Sequence, residues 1–171
     1  MRGRAADITD PGALGWQVVW EALKTEPPAD NPSTLTQELG LDHEQEIRWE
    51  WGRQSDYGTE FSGNRHGRHV ALRLGVIPGV REKGMNEVRI DVPVASFRVR
   101  EEGGRLVADP GATEQVEEVL GALAPASKTW RKVDIQGGPD GIVARRPVTA
   151  HSQGYVFDLW LAERLADRLG A

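Results

Sequence analysis

Val88-Arg89-Ile90-Asp91-Val92-Pro93-Val94-Ala95-Ser96-Phe97-Arg98-Val99 alternates apolar and polar side chains as far as Val94, then changes phase so that Phe97 and Val99 become the apolar positions. Successive side chains of a strand point to opposite faces, so a period of two reads as a half-buried strand. The slip after Val94 predicts a bulge or bend near Ala95-Ser96. Pro93 lacks a backbone N–H and places this strand at an edge or a bulge.

The same period runs through Val70, Leu72, Leu74 and Val76 and through Ile47, Trp49 and Trp51, the latter set against Glu46, Arg48 and Glu50. These stretches are expected to bury one common face. The polar, glycine-bearing segment Ser55 to Gly67 between them reads as a loop. Glu102-Gly103-Gly104-Arg105 predicts a hairpin turn into a short strand at Leu106-Val107. Gly137-Gly138-Pro139-Asp140-Gly141 is a turn between strands at Trp130–Ile135 and Ile142–Val148.

Elsewhere the period is that of a helix. Trp16, Val19, Trp20 and Leu23 form one face after Asp10-Pro11, and Pro27-Pro28 ends it. A short second helix runs from Asn31-Pro32 to the stop at Gly40. Asp109-Pro110 or Thr113 opens a third, with Val116, Val119, Leu120 and Leu123 as its stripe. Gly154 to Leu169 is the last, with Phe157, Leu161, Leu165 and Leu169 inward and Glu163, Arg164, Asp167 and Arg168 on the wet side. The expected fold is therefore α+β, a mostly antiparallel five- to six-stranded sheet packed by amphipathic helices, in the order α-α-β-β-β-(β)-α-β-β-α.

Stripped of its extra helix and hairpin, that order over residues 10–170 resembles the type III secretion chaperone-like fold, in element order alone. The resemblance implies a non-catalytic, often dimeric, protein-binding domain.

The 171 residues suit one domain, residues 1–171, with 1–9 frayed. The absence of cysteine excludes disulfides, thiolate metal sites and sulfur catalysis. The two N-terminal arginines precede no apolar run, which argues against a secretory signal and for a cytoplasmic protein without a membrane segment. A formal net charge of −5 argues against a nucleic-acid partner. Arginine outnumbers lysine 17 to 4, and clustered arginines offer planar forks for carboxylate or phosphate.

Two segments carry chemistry. Asp56 to His69 holds Arg65, His66, Arg68 and His69 beside Asp56 and Glu60. An anion could be held by Arg65 and Arg68, with His66 or His69 as the catalytic acid or base. The spacing of His66 and His69 suits no metal site, since Gly67 keeps the pair off a helix, and no cofactor is expected. In the second segment Arg145, Arg146, His151 and Ser152 cluster before the last helix, whose free amides attract anions. No phosphate-cradling loop and no nucleophile elbow occurs. The leading expectation is accordingly a non-enzymatic interaction domain, chaperone-like or an adaptor, with a protein partner or a second copy. The alternative is a small domain or enzyme for a phosphate- or carboxylate-bearing ligand built on the Arg65–His69 loop.

Overall fold

The computed structural model describes residues 39–51, 54–76, 84–122, 130–148 and 155–170. Eight strands and two helices follow along them: β1 (His43–Trp51), β2 (Gln54–Arg65), β3 (Arg68–Val76), β4 (Gly84–Ile90), β5 (Phe97–Glu102), β6 (Arg105–Ala108), α1 (Glu114–Gly121), β7 (Asp134–Gly138), β8 (Gly141–Val148) and α2 (Tyr155–Leu169). All strands join one open sheet, ordered β1-β2-β3-β4-β8-β7-β5-β6. Every neighbouring pair is antiparallel.

This corrects the expected five- to six-stranded sheet in two places. The first is Ser55–Gly67, which is not a loop but most of β2. Its glycines sit where another backbone comes close: a β-carbon on Gly63 would lie 2.0 Å from the Gly40 carbonyl oxygen, and one on Gly58 would lie 2.9 Å from that of Leu74. The turn contracts to His66-Gly67, with φ of 52° and 78°. Two central residues with positive φ match the twist of a tight hairpin.

The second place is the stretch 88–99, where no bulge joins a continuous strand. The chain leaves the sheet at Ile90 and crosses the end of the β7–β8 hairpin. It re-enters at Phe97 beside β7, on the far side of β8. Asp91–Ser96 is this crossover, and Val94 N–H donates to the Gly138 carbonyl at 3.1 Å. Pro93 lies within it, where the missing N–H breaks no ladder bond. Gly141 has a φ of +130°, and a β-carbon there would stand 2.2 Å from the Ile90 carbonyl oxygen. Only glycine lets the hairpin tuck against the crossover.

The expected order fails as well. Among the described residues six strands precede the first helix, where three, or four with the short hairpin strand, are expected. The likeness in element order to the secretion-chaperone fold loses its basis. The two helices expected before Gly40, with Trp16 and Trp20, fall outside the described residues apart from Leu39 and Gly40, which form a turn. Thr113 is the N-cap of α1, with extended φ −70° and ψ 158°.

Both helices lie on one side of the sheet. α2 packs on β4 and β8, while α1 packs on α2 and β6. Cross-strand register explains the core. Phe61, Leu72, Val88, Ala144, Ile135 and Val99 form one row from β2 to β5. Val70, Ile90 and Ile142 form the next, continued by Gly137 and Phe97. All of these side chains are buried. The Phe97 ring occupies the space where a Gly137 side chain would be. α2 contributes Phe157, Leu161 and Leu165, and Trp130 meets Phe157 edge to face at 6.4 Å between centroids. Each buried leucine contributes about 1.5–3 kcal/mol.

β1 departs from the expected common face. Glu44 pairs with Phe61 and Ile47 with Gly58, so Ile47 is in phase with Glu60, on the face away from the helices. β1 is at an edge, remote from α2, and its apolar positions are not dictated by the core. The side chains of Trp49 and Trp51 lie outside the described residues.

Candidate functional site

The face away from the helices carries a second set of register rows. One runs Gln45, Glu60, Arg73, Glu87, Arg145, Asp134, Arg100 from β1 to β5. From Glu60 onward its charges alternate in sign across six strands. Opposite charges directly across a ladder contribute roughly 0.2–1 kcal/mol per pair. Arg73 Nε donates to Glu60 at 2.7 Å, and Gln45 Nε2 to the other Glu60 oxygen at 3.0 Å. Burial alone would raise the Glu60 carboxyl, but these hydrogen bonds outweigh it and hold the group below its ordinary value.

Glu87, at the centre of the row, has a fully buried side chain. Arg145 Nε donates to one of its oxygens at 2.6 Å. The other oxygen lies 3.5 Å from Arg89 Nε and 3.7 Å from Arg73 Nη1, and accepts no formed hydrogen bond. One carboxylate therefore faces three guanidinium groups. Arg73 is also held by Glu60, and Arg98 grips both oxygens of Asp134 at 3.2 and 2.8 Å. Arg89 and Arg145 differ. Both turn Nε toward Glu87, and among the described residues their terminal NH2 groups have no protein partner.

Those two side chains line a pocket of about 290 Å³ against the β7–β8 hairpin. Asp134, Gln136, Val143 and the turn Gly138-Pro139-Asp140-Gly141 form its other walls. The two side chains are 40% and 52% exposed, open to a ligand yet fixed at one end by a buried anion. A planar fork held in place loses less freedom when it grips a carboxylate or phosphate with two hydrogen bonds.

The residues named from the sequence do not converge on one site. Arg65 and Arg68 serve the fold. Arg65, with a side chain 7% exposed, binds Glu163 at 2.5 Å and the Leu39 carbonyl at 2.6 Å. Arg68 binds Asp167 and the Ala166 carbonyl near the end of α2, where cations are favoured. Glu163, expected on the wet side of the last helix, is buried by these contacts. His66 sits in the hairpin turn with Nε2 3.9 Å from Glu163. His69 lies on the opposite face and pairs with Asp91 at 3.3 Å. The arginines and His69 of that loop are thus divided between the two faces.

Arg145 and Arg146 are likewise divided, being adjacent on a strand. Arg145 enters the pocket. Arg146 enters the core, where Nε and Nη2 grip Asp158 of α2 at 2.8 and 2.5 Å. Burial pushes the Asp158 carboxyl above its ordinary value, Arg146 pulling the other way. His151 and Ser152 lie outside the described residues. Sequence reasoning does not single out Glu87, Arg89 or Asp140. The period-two pair Glu87 and Arg89 is the available signal, but its alignment with Arg145 depends on register.

Among the described residues no cluster of three or more His, Asp or Glu groups could hold a metal ion, and no helix is long and apolar enough to cross a membrane. Comparison with family models, with curated proteins and with solved structures finds no match to this chain.

Proposed function

We propose that this chain is a binding domain for a carboxylate- or phosphate-bearing ligand, with Arg89 and Arg145 as the residues that grip it and Glu87 as the residue that positions them. The observation that carries this reading is that two arginines anchored by one buried carboxylate, with their NH2 ends unengaged, line one pocket. The reading keeps the ligand class expected from the sequence and moves the site from the Arg65–His69 loop to the β4–β8 ladder. It is preferred to the protein-interaction reading because it has a built site, whereas Val107 is the one exposed large hydrophobic side chain among the described residues. A cytoplasmic location belongs to the same proposal.

Titration with inorganic phosphate and with acetate, followed by the NMR signals of the arginine Nε–H groups, tests it. Arg89 and Arg145 shift saturably in the expected result. A hydrogen bond to a charged group is worth about 1.5–3 kcal/mol, so Arg145→Ala weakens binding about tenfold or more. Arg68→Ala, which removes a guanidinium bound to Asp167 on the other face of the sheet, leaves it within about twofold on the same scale. Equal weakening by both substitutions, or no saturable shift with either anion, would overturn the proposal.

A further inference from the structure

The pocket also holds a carboxylate that no protein cation engages. Asp134 is gripped by Arg98 through both oxygens. Asp140, exposed at the tip of the β7–β8 turn, has no ion-pair or hydrogen-bond partner among the described residues. One cavity is therefore lined by Arg89 and Arg145, whose NH2 ends are unengaged, and by Asp140, whose carboxylate is unengaged.

From this we infer that the natural ligand is a small amphoteric molecule of the amino-acid class, carrying an acidic group for Arg89 and Arg145 and an ammonium group for Asp140. The inference rests on the anion-binding reading and narrows it. A purely anionic ligand meets Asp140 as a like charge, and a purely cationic one meets the two arginines. A ligand with both charges is complementary to every unpaired charge in the cavity, the arrangement that sets specificity. The volume of about 290 Å³ lies at the small end of ligand pockets, which suits a molecule of this size rather than a nucleotide.

The test compares glycine, β-alanine and γ-aminobutyrate with acetate, propionate and butyrate, which match them but lack the amine. Each is titrated into the full chain at low ionic strength, with arginine Nε–H signals as the readout. An exposed ion pair contributes about 0.2–1 kcal/mol, so at least one amino acid binds up to about fivefold more tightly than its partner acid. Asp140→Asn abolishes that gain while slightly strengthening binding of the plain acid. High salt removes the gain by screening. If every amino acid binds no better than its partner acid, or if the gain survives Asp140→Asn, the amphoteric assignment falls and the anion site stands. If neither series nor phosphate moves the arginine signals, both fall together.

Discussion

Glu87 is the residue on which the open face turns. Its buried carboxylate draws Arg145, Arg89 and Arg73 together across three strands. Glu87→Gln removes the charge and leaves the arginines to repel one another. Breaking a buried pair costs about 3–5 kcal/mol, but two of these arginine side chains are 40% and 52% exposed and water replaces part of the loss. The expected destabilisation is therefore about 1–3 kcal/mol in urea unfolding, with weaker phosphate binding at Arg145. Unchanged stability would show that the three arginines need no shared anchor. The Arg146–Asp158 pair makes the contrasting case, because both partners are buried. Arg146→Met strands a buried carboxylate and costs about 3–5 kcal/mol, while Arg146→Met with Asp158→Leu recovers most of that loss. A double variant no more stable than the single would refute the idea that the penalty is the unpaired charge. The sequence shows that Arg145 and Arg146 point to opposite faces, from the strand period alone. It does not show which face holds a helix, because that follows from pairing partners far along the chain.

At the level of elements, the β4–β5 crossover and the β2–β3 hairpin show what local patterning carries and what it omits. Alternation locates Val88, Ile90, Phe97 and Val99 on strands. It cannot distinguish a bulge from a crossover, since both break the phase after Val94. The deciding contact, Val94 N–H to Gly138, joins residues far apart in sequence. β2 is hidden in the sequence because its glycines resemble loop residues when the backbones approaching them are unknown. These glycines are not interchangeable. Gly141→Ala combines a φ of +130° with a β-carbon 2.2 Å from the Ile90 carbonyl oxygen. A residue held in such a conformation costs about 1–3 kcal/mol before the clash is counted, so a loss of about 3 kcal/mol or more is expected. Gly67→Asn is the control: φ is +78°, and a β-carbon there would meet nothing within 4 Å. Asparagine tolerates the left-handed region, and the change is expected to stay within about 1 kcal/mol. Equal denaturation midpoints for the two variants would mean that the hairpin does not press on the crossover.

For the whole molecule, one face of an eight-stranded sheet is held by apolar rows under α2 and the other by a row of alternating charge, and stability depends on pH through Glu60 in that row and through two carboxyls outside it, Glu101 and Asp158. Glu60 is held below its ordinary value of 4.5 by Arg73 and Gln45, overcoming burial. Glu101 is held below 4.5 by the backbone N–H groups of Lys132 and Gly104, which tie the β5–β6 turn to the segment before β7. A carboxyl whose folded value is depressed stabilises the fold fully above its unfolded value and loses that contribution as pH falls through the folded one. Asp158 acts in the opposite sense. Its carboxyl is raised by burial, so the folded state holds that proton more tightly, and this contribution is fully present below the ordinary value of 3.8 and is lost as pH rises above it through the folded one. The two glutamates and Asp158 therefore oppose each other in the acid range. Chemical unfolding measured from neutral pH downward is expected to show stability declining below about pH 4.5, with the decline shallower in Glu60→Gln and shallower still in Glu60→Gln with Glu101→Gln. The double substitution removes both depressed carboxyls and leaves the Asp158 term, so its stability should level off or rise as the medium becomes more acid. An acid limb as steep in that variant as in the unaltered chain would show that Glu60 and Glu101 do not govern the acid response.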